Sequence, residues 1–197
     1  MDKKTEVLIE TWFPKTIYSA TNLHLSNLPK YKKEILKVIA KKSIRTDANY
    51  VETTHGIRKE DLKNNSIFKA LKKDILTHAN NYSEALGYDL QLQIGNMWAN
   101  VSKKEDYLFP HNHPNSLLSG VFYVSANEKL DTIKFYNNID SMLLPVPKQN
   151  LNELSYETCT HSCIPGKLLI FKSDFLHGCP ALKGEEKIVI SFNITSN

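Results

Sequence analysis

Arginine is nearly missing from this chain: among 25 basic residues it stands only at Arg45 and Arg58. The other cations are lysines in short runs, such as Lys32-Lys33, Lys41-Lys42 and Lys72-Lys73, and the formal charge is only +4. A nucleic-acid partner calls for a basic stripe interleaved with aromatics or a known motif. Neither is present, so the lysine runs read as solvated helix faces. Cysteine is also scarce and odd in number (Cys159, Cys163, Cys179), which argues against a secreted disulfide scaffold. There is no run of 18 apolar residues to span a bilayer. The opening Met1-Asp2-Lys3-Lys4-Thr5-Glu6 has no apolar stretch behind it of the kind a leader carries. A cytoplasmic protein is expected, with no nucleic-acid or membrane partner. Neither internal repeats nor low-complexity linkers divide the 197 residues. That length suits one domain able to build a core without cross-links.

Residues 6–18 read as a first strand interrupted by Pro14, which cannot donate to a ladder and belongs at an edge or a break. From Pro29 to about Ser43, Ile35, Leu36, Val38 and Ile39 recur at helical spacing. A second helix is predicted from Ser66 to Leu86, with Ile67, Leu71, Ile75 and Ala79 on one face and Gly87 as its left-handed stop. After Gly87 the period changes to two. Leu90–Ile94, Gly95–Ser102, Gly120–Ser125, Thr132–Tyr136, Lys167–Phe171 and Lys187–Ile194 read as strands, separated by turn signals such as Pro165-Gly166 and Lys183-Gly184. The expected fold is therefore α+β and mainly β: one domain over 1–197, with a helical part at about 1–88 packed on a double-sheet β core at about 89–197.

Chemistry concentrates in Tyr107-Leu-Phe-Pro-His-Asn-His-Pro-Asn-Ser-Leu-Leu-Ser-Gly-Val-Phe-Tyr-Val124. His111 and His113 are two apart, so on extended backbone both imidazoles point to one side. Two nitrogen donors from one strand end make half of a metal site, and the best third ligand is His177, in Phe171-Lys-Ser-Asp-Phe-Leu-His-Gly-Cys-Pro180. A His-x-His pair alone also occurs in exposed turns that bind nothing. Cys159-Thr-His161-Ser-Cys163 alternates donors too, but it lacks a second ligand pair unless Cys179 joins, and reads as a decoy.

The order of these features resembles the 2-oxoglutarate/iron(II) oxygenase superfamily. More narrowly, it is similar to small bacterial and phage oxygenases with a His-x-His-Pro…Ser-Gly-Val-x-Tyr-Val signature. The likeness runs from about Met97 to Asn193. It implies a double-stranded β-helix (jelly-roll, cupin-like) fold, Fe(II) bound by His111 and His177, and 2-oxoglutarate as co-substrate with Lys187, ten positions past His177, on its distal carboxylate. It also implies dioxygenase activity, by default hydroxylation with release of succinate and carbon dioxide, stimulated by ascorbate. The substrate stays open between a small molecule and a protein. His113 departs from the pattern, since a carboxylate usually stands there. It either completes a three-histidine site, or yields the place to water, Asp106 or Asp140, or marks a different metal. Two other readings remain: a three-histidine hydrolase or isomerase, and a β-helix binding module without catalysis.

Alternation along Lys187-Ile-Val-Ile-Ser-Phe-Asn193 puts Lys187, Val189, Ser191 and Asn193 on one face and Ile188, Ile190 and Phe192 on the other. The polar face suits a cleft in which Lys187 pairs with a dicarboxylate as a point charge, with Ser191 beside it. Tyr123 and Asn100 are further expected co-substrate contacts. Ser119 and Gly120 are expected to let their strand approach the site closely, Gly120 otherwise marking a bulge.

Overall fold

The computed structural model describes residues 7–45, 51–57, 61–137, 150, 152 and 154–196. Among these residues, ten strands form two antiparallel sheets. In chain order they are β1 (Ile17–Ala20), β2 (Glu52–Thr53), β3 (Leu92–Lys103), β4 (Leu108–His111), β5 (Leu118–Ser125), β6 (Thr132–Tyr136), β7 (Thr158–Ser162), β8 (Leu168–Lys172), β9 (His177–Cys179) and β10 (Glu186–Ser196). The larger sheet runs β1-β8-β5-β10-β3-β2 and the smaller β4-β9-β6-β7. Helices α1 (Leu28–Lys41) and α2 (Lys69–Ala85) cover the outer face of the larger sheet.

Period-two alternation sorts the strands between two cores. Ile188, Ile190, Phe192 and Ile194 of β10 join Leu118, Phe122 and Val124 of β5 and the apolar faces of both helices. The residues between them, Val121, Tyr123 and Val189, turn inward to meet Ile133, Phe135, Leu169 and Phe171 between the sheets. The fold is a double-stranded β-helix with helices on one sheet, as expected.

Several elements differ from the sequence reading. The first strand begins only at Ile17, beyond Pro14, and lies at a sheet edge. With β2 at the other edge, the N-terminal half supplies both margins of the larger sheet. Leu36 of α1 is exposed, and Tyr31 fills the core position instead. Ser66–Phe68 is a separate 3-10 turn before α2, because the Asn65 side chain accepts the Ile67 N–H and competes with α-helical pairing. Gly87 is left-handed (φ 74°), as a helix stop requires. Residues 92–103 make one long strand rather than two. Strands β2, β4, β7 and β9 had too little alternation to be seen. Gly120 marks no bulge and makes its room on the helix side: a Cβ there would lie 2.3 Å from Phe192 Cζ and 2.5 Å from the Leu169 carbonyl oxygen.

Candidate metal centre

The three histidines singled out by spacing come together at one end of the cleft between the sheets. His111, the last residue of β4, stands opposite His177, the first of β9. Pro110 beside it has no N–H to contribute, and β4 is an edge strand, where that loss is tolerated. His113 follows two residues on, pinned by its backbone N–H to the Ser173 carbonyl at 2.8 Å. Ring centroids lie 4.5 Å apart for His111–His177 and 5.1 Å apart for both His111–His113 and His113–His177. Nε2 of His113 is 3.3 Å from Nε2 of His177. Each residue offers a donor atom within 4.8 Å of the other two, and among the described residues this is the one such group of three.

The donors are prepared for a cation. His111 Nδ1 and His177 Nδ1 each lie 2.8 Å from a main-chain oxygen two residues back, of Phe109 and Phe175. An Nδ1–H bound in this way leaves Nε2 unprotonated for a metal. Burial, with the neighbouring His111, pushes His177 down to about 3 and His113 down to about 4. Both are therefore neutral ligands at physiological pH. The donor set fits a divalent transition metal with coordination positions to spare.

A cavity of about 660 Å³ opens from these histidines along the inner face of the larger sheet. Lys187, Tyr123, Asn100 and Ser191 all line it. Lys187 is 4% exposed. Burial lowers its pKa, but Cys179, Cys163 and Asp131 outweigh that, and the ammonium stays above its ordinary value. Asp131 is itself held by the N–H groups of Asn127 and Gly184 at 2.8 and 2.9 Å. The Tyr123 hydroxyl is wholly buried and faces the Cys163 thiol, with no hydrogen-bond partner of its own. An enclosed cation and an orphaned hydroxyl lining one cavity suit an anionic ligand with a carboxylate at that end.

Asn100 is engaged by protein groups. With its amide turned to satisfy both ends, its oxygen accepts from Ser191 Oγ at 3.1 Å and Trp98 Nε1 at 3.3 Å, and its nitrogen donates to Thr53 Oγ1 at 2.6 Å. Asp106 lies away from the histidines, bound by Arg45 at 2.6 Å and by the Lys103 N–H at 2.7 Å. Asp140 lies outside the described residues. Cys159 on β7 is exposed while Cys163 beyond it is buried, so the alternating cysteines form no site. Sequence reasoning missed Trp98, whose ring is 5.8 Å from His113, and His55, 4.5 Å from Trp98 on the cavity wall. No spacing relates His55 to the other histidines. Asn193 was visible as part of the polar face of β10 but not as a neighbour of His113.

The family model described as "Putative 2OG-Fe(II) oxygenase" matches residues 96–193, about half the chain and nearly the span of the resemblance. The chain belongs to the 2-oxoglutarate/iron(II) oxygenase superfamily. The α-ketoglutarate-dependent epimerase SnoN from nogalamycin biosynthesis superposes with a TM-score of 0.68 at 13% identity, over 92% of this chain and 79% of that one. A Pseudomonas putida prolyl-4-hydroxylase gives 0.66 at 9% identity, over 93% and 94%. The viral collagen prolyl hydroxylase of Paramecium Bursaria Chlorella virus-1 gives 0.60 at 13%, over 92% and 96%. At these identities the likeness is one of fold. No curated protein matches the chain. This oxygenase has no helix among the described residues long and apolar enough to cross a membrane.

Proposed function

We propose that this oxygenase hydroxylates its substrate at an iron(II) centre held by His111, His113 and His177, with 2-oxoglutarate anchored by Lys187 and Tyr123. The observation that carries this is the convergence of three imidazoles, two of them fixed by carbonyls so that Nε2 is free, at one end of a cavity that also holds a buried cation. With iron(II) and 2-oxoglutarate bound, dioxygen would be the oxidant and 2-oxoglutarate the two-electron co-reductant: one oxygen atom would leave in succinate, with carbon dioxide released, and the other would convert a substrate C–H to C–OH.

The chain's own residues do the rest. The three imidazoles add no charge, so the metal keeps its full +2 and draws an anionic co-substrate. Lys187 meets the distal carboxylate with a charge-assisted hydrogen bond, stronger inside the protein than in water. Tyr123 donates the hydroxyl that otherwise has no acceptor. Phe171, Val121 and Val189 on the cavity wall exclude water from the co-substrate. The substrate, a small molecule or a protein, enters at the histidine end past Trp98 and His55.

Within the superfamily we place the chain with small bacterial and phage oxygenases that carry His-x-His-Pro…Ser-Gly-Val-x-Tyr-Val. We place it in the cytoplasm, working as a single domain whose helical and β halves share one core. Calorimetry with Mn(II)-loaded protein should show 2-oxoglutarate binding that needs the metal. Incubation with Fe(II), ascorbate and 2-oxoglutarate should release succinate. Absence of 2-oxoglutarate binding in metal-loaded protein would refute the proposal and favour a different metal chemistry or a binding module.

A further inference from the structure

The apolar sequence before β1 is left bare by the fold. Val7, Leu8, Ile9, Trp12 and Phe13 are each 71–93% exposed, in a segment without secondary structure. Trp12 turns to its own segment, meeting Phe13 at 6.4 Å between ring centroids and Glu10 Oε2 through Nε1 at 3.1 Å. Single exposed apolar side chains are ordinary, but a contiguous run is not. Two aromatic and three aliphatic side chains at these exposures offer on the order of 500 Å², as much as the largest patch of a typical soluble monomer. Phe13 also holds φ 56°, left-handed backbone that a bulky aromatic disfavours and an extended conformation would relieve.

β1 has the complementary lack. It ends the larger sheet, with β8 on one side and, among the described residues, no strand on the other. A bare edge is a template for a strand of another chain. Val7-Leu-Ile-Glu-Thr-Trp12 is rich in the β-branched and aromatic types that strands favour. Folding back onto β1 in the same chain would need a tight hairpin turn at Pro14-Lys15, and Pro14 cannot take the positive φ that such turns start with. The flanking chain is held away from that turn as well, since the Thr16 carbonyl accepts from Tyr82 Oη at 2.8 Å and Lys15 Nζ sits 5.1 Å over the Phe175 ring.

We infer that the partner of this segment is a second copy of the chain: residues 7–13 of each copy lie antiparallel along the free edge of β1 in the other, about a two-fold axis near Pro14. Each copy carries a strand without an edge and an edge without a strand, so the exchange satisfies both at once and closes on itself. Pro14, with no N–H to give, falls at the crossing, where a ladder bond is dispensable. Two exchanged arms and the edges they cover come to about the 1,200–2,000 Å² of a specific interface.

Analytical ultracentrifugation of the full chain tests this from about 1 to about 100 µM, a range that reaches the weaker interfaces of this area. The wild type should sediment as a dimer at the upper end. Trp12→Ser combined with Phe13→Ser should raise the dissociation constant at least about tenfold, for the loss of two aromatic anchors. At the lower end, where the variant is monomeric, it should stay folded, because both side chains are exposed within one chain. Trp12 reports where the segment goes. Its iodide quenching, read as the difference between wild type and Trp12→Phe, should fall as the dimer forms. A wild type that stays monomeric at the highest concentration overturns the inference. So does a dimer that the double substitution leaves intact, whose interface then lies elsewhere. Mass that climbs past two chains overturns it too, since a closed exchange leaves no edge to extend. A monomer whose Trp12 becomes shielded only on adding Mn(II) and 2-oxoglutarate also overturns it, and assigns the segment to the chain's own cleft.

Discussion

Gly178 sits between His177 and Cys179 on β9, against the backbone of β4 that carries His111. A Cβ there would lie 2.8 Å from the Leu108 carbonyl oxygen, 3.0 Å from Pro110 N and 3.2 Å from Phe109 C. All three are main-chain atoms, so nothing can rotate aside. Ordinary contact begins at 3.4 Å, and restoring it from 2.8 Å moves the strands apart by 0.6 Å. Metal–ligand distances tolerate only about 0.2 Å. Gly178→Ala should therefore displace His111 from His177 by roughly three times what the metal accepts. We expect metal affinity to drop at least about tenfold, or about 1.4 kcal/mol, with a stability loss of about 1–3 kcal/mol from overpacking. Gly120→Ala is the counterpart. Its Cβ collides with Phe192 and Leu169 on the helix side, so it should cost about 3 kcal/mol, or roughly 6–12 °C in melting temperature for a chain of this size. Its metal affinity should hold where the protein stays folded. Mn(II) calorimetry and melting of the metal-free variants read both effects. Wild-type metal affinity in folded Gly178→Ala would show that the β4–β9 spacing does not set the ligand geometry.

Lys187→Met should keep metal binding but weaken 2-oxoglutarate by at least about 30-fold, since losing one member of a buried charged pair costs about 2 kcal/mol or more; calorimetry on Mn(II)-loaded protein checks this. Tyr123→Phe removes a buried hydroxyl that has no partner, so the ligand-free protein should melt no lower than wild type while 2-oxoglutarate affinity falls about tenfold. A drop in ligand-free stability would mean that the hydroxyl is already satisfied. Burial pushes the Cys163 thiol up to about 12, so at pH 8 it stays protonated. Iodoacetamide should then label exposed Cys159 in the folded protein and reach Cys163 only on unfolding, as peptide mass spectrometry would report.

The most legible feature was β10, because period-two alternation is dictated by the strand itself: Lys187, Ser191 and Asn193 line the cavity, and Ile188, Ile190 and Phe192 pack under the helices. His111 and His113 were legible as a pair because they share a strand end. His177 lies 64 residues beyond His113, and only the order of flanking strands linked it to them. His55 and Trp98 could not be read, since their stacking arises where a loop after the two-residue β2 meets β3. Gly120 was noticed for the wrong neighbour: the demand for a missing side chain comes from Phe192 across the strand pair, a partner that sequence distance hides. The 3-10 turn Ser66–Phe68 before α2 was read as helix because Asn65 captures the Ile67 N–H, a local competition that apolar periodicity does not register.

The two-faced β10 also limits how the chain can be divided. Residues 96–193 match the family model, yet the outer side of that segment presents Ile188, Ile190, Phe192, Phe122 and Val124, each sealed by α1 and α2. Expressed without the first 88 residues, it would turn a continuous hydrophobic sheet face to water, well beyond the patch a soluble monomer ordinarily shows. The helices thus serve as a built-in chaperone for the catalytic half, which should collect as aggregate when produced alone and become soluble when the helical half is supplied alongside it.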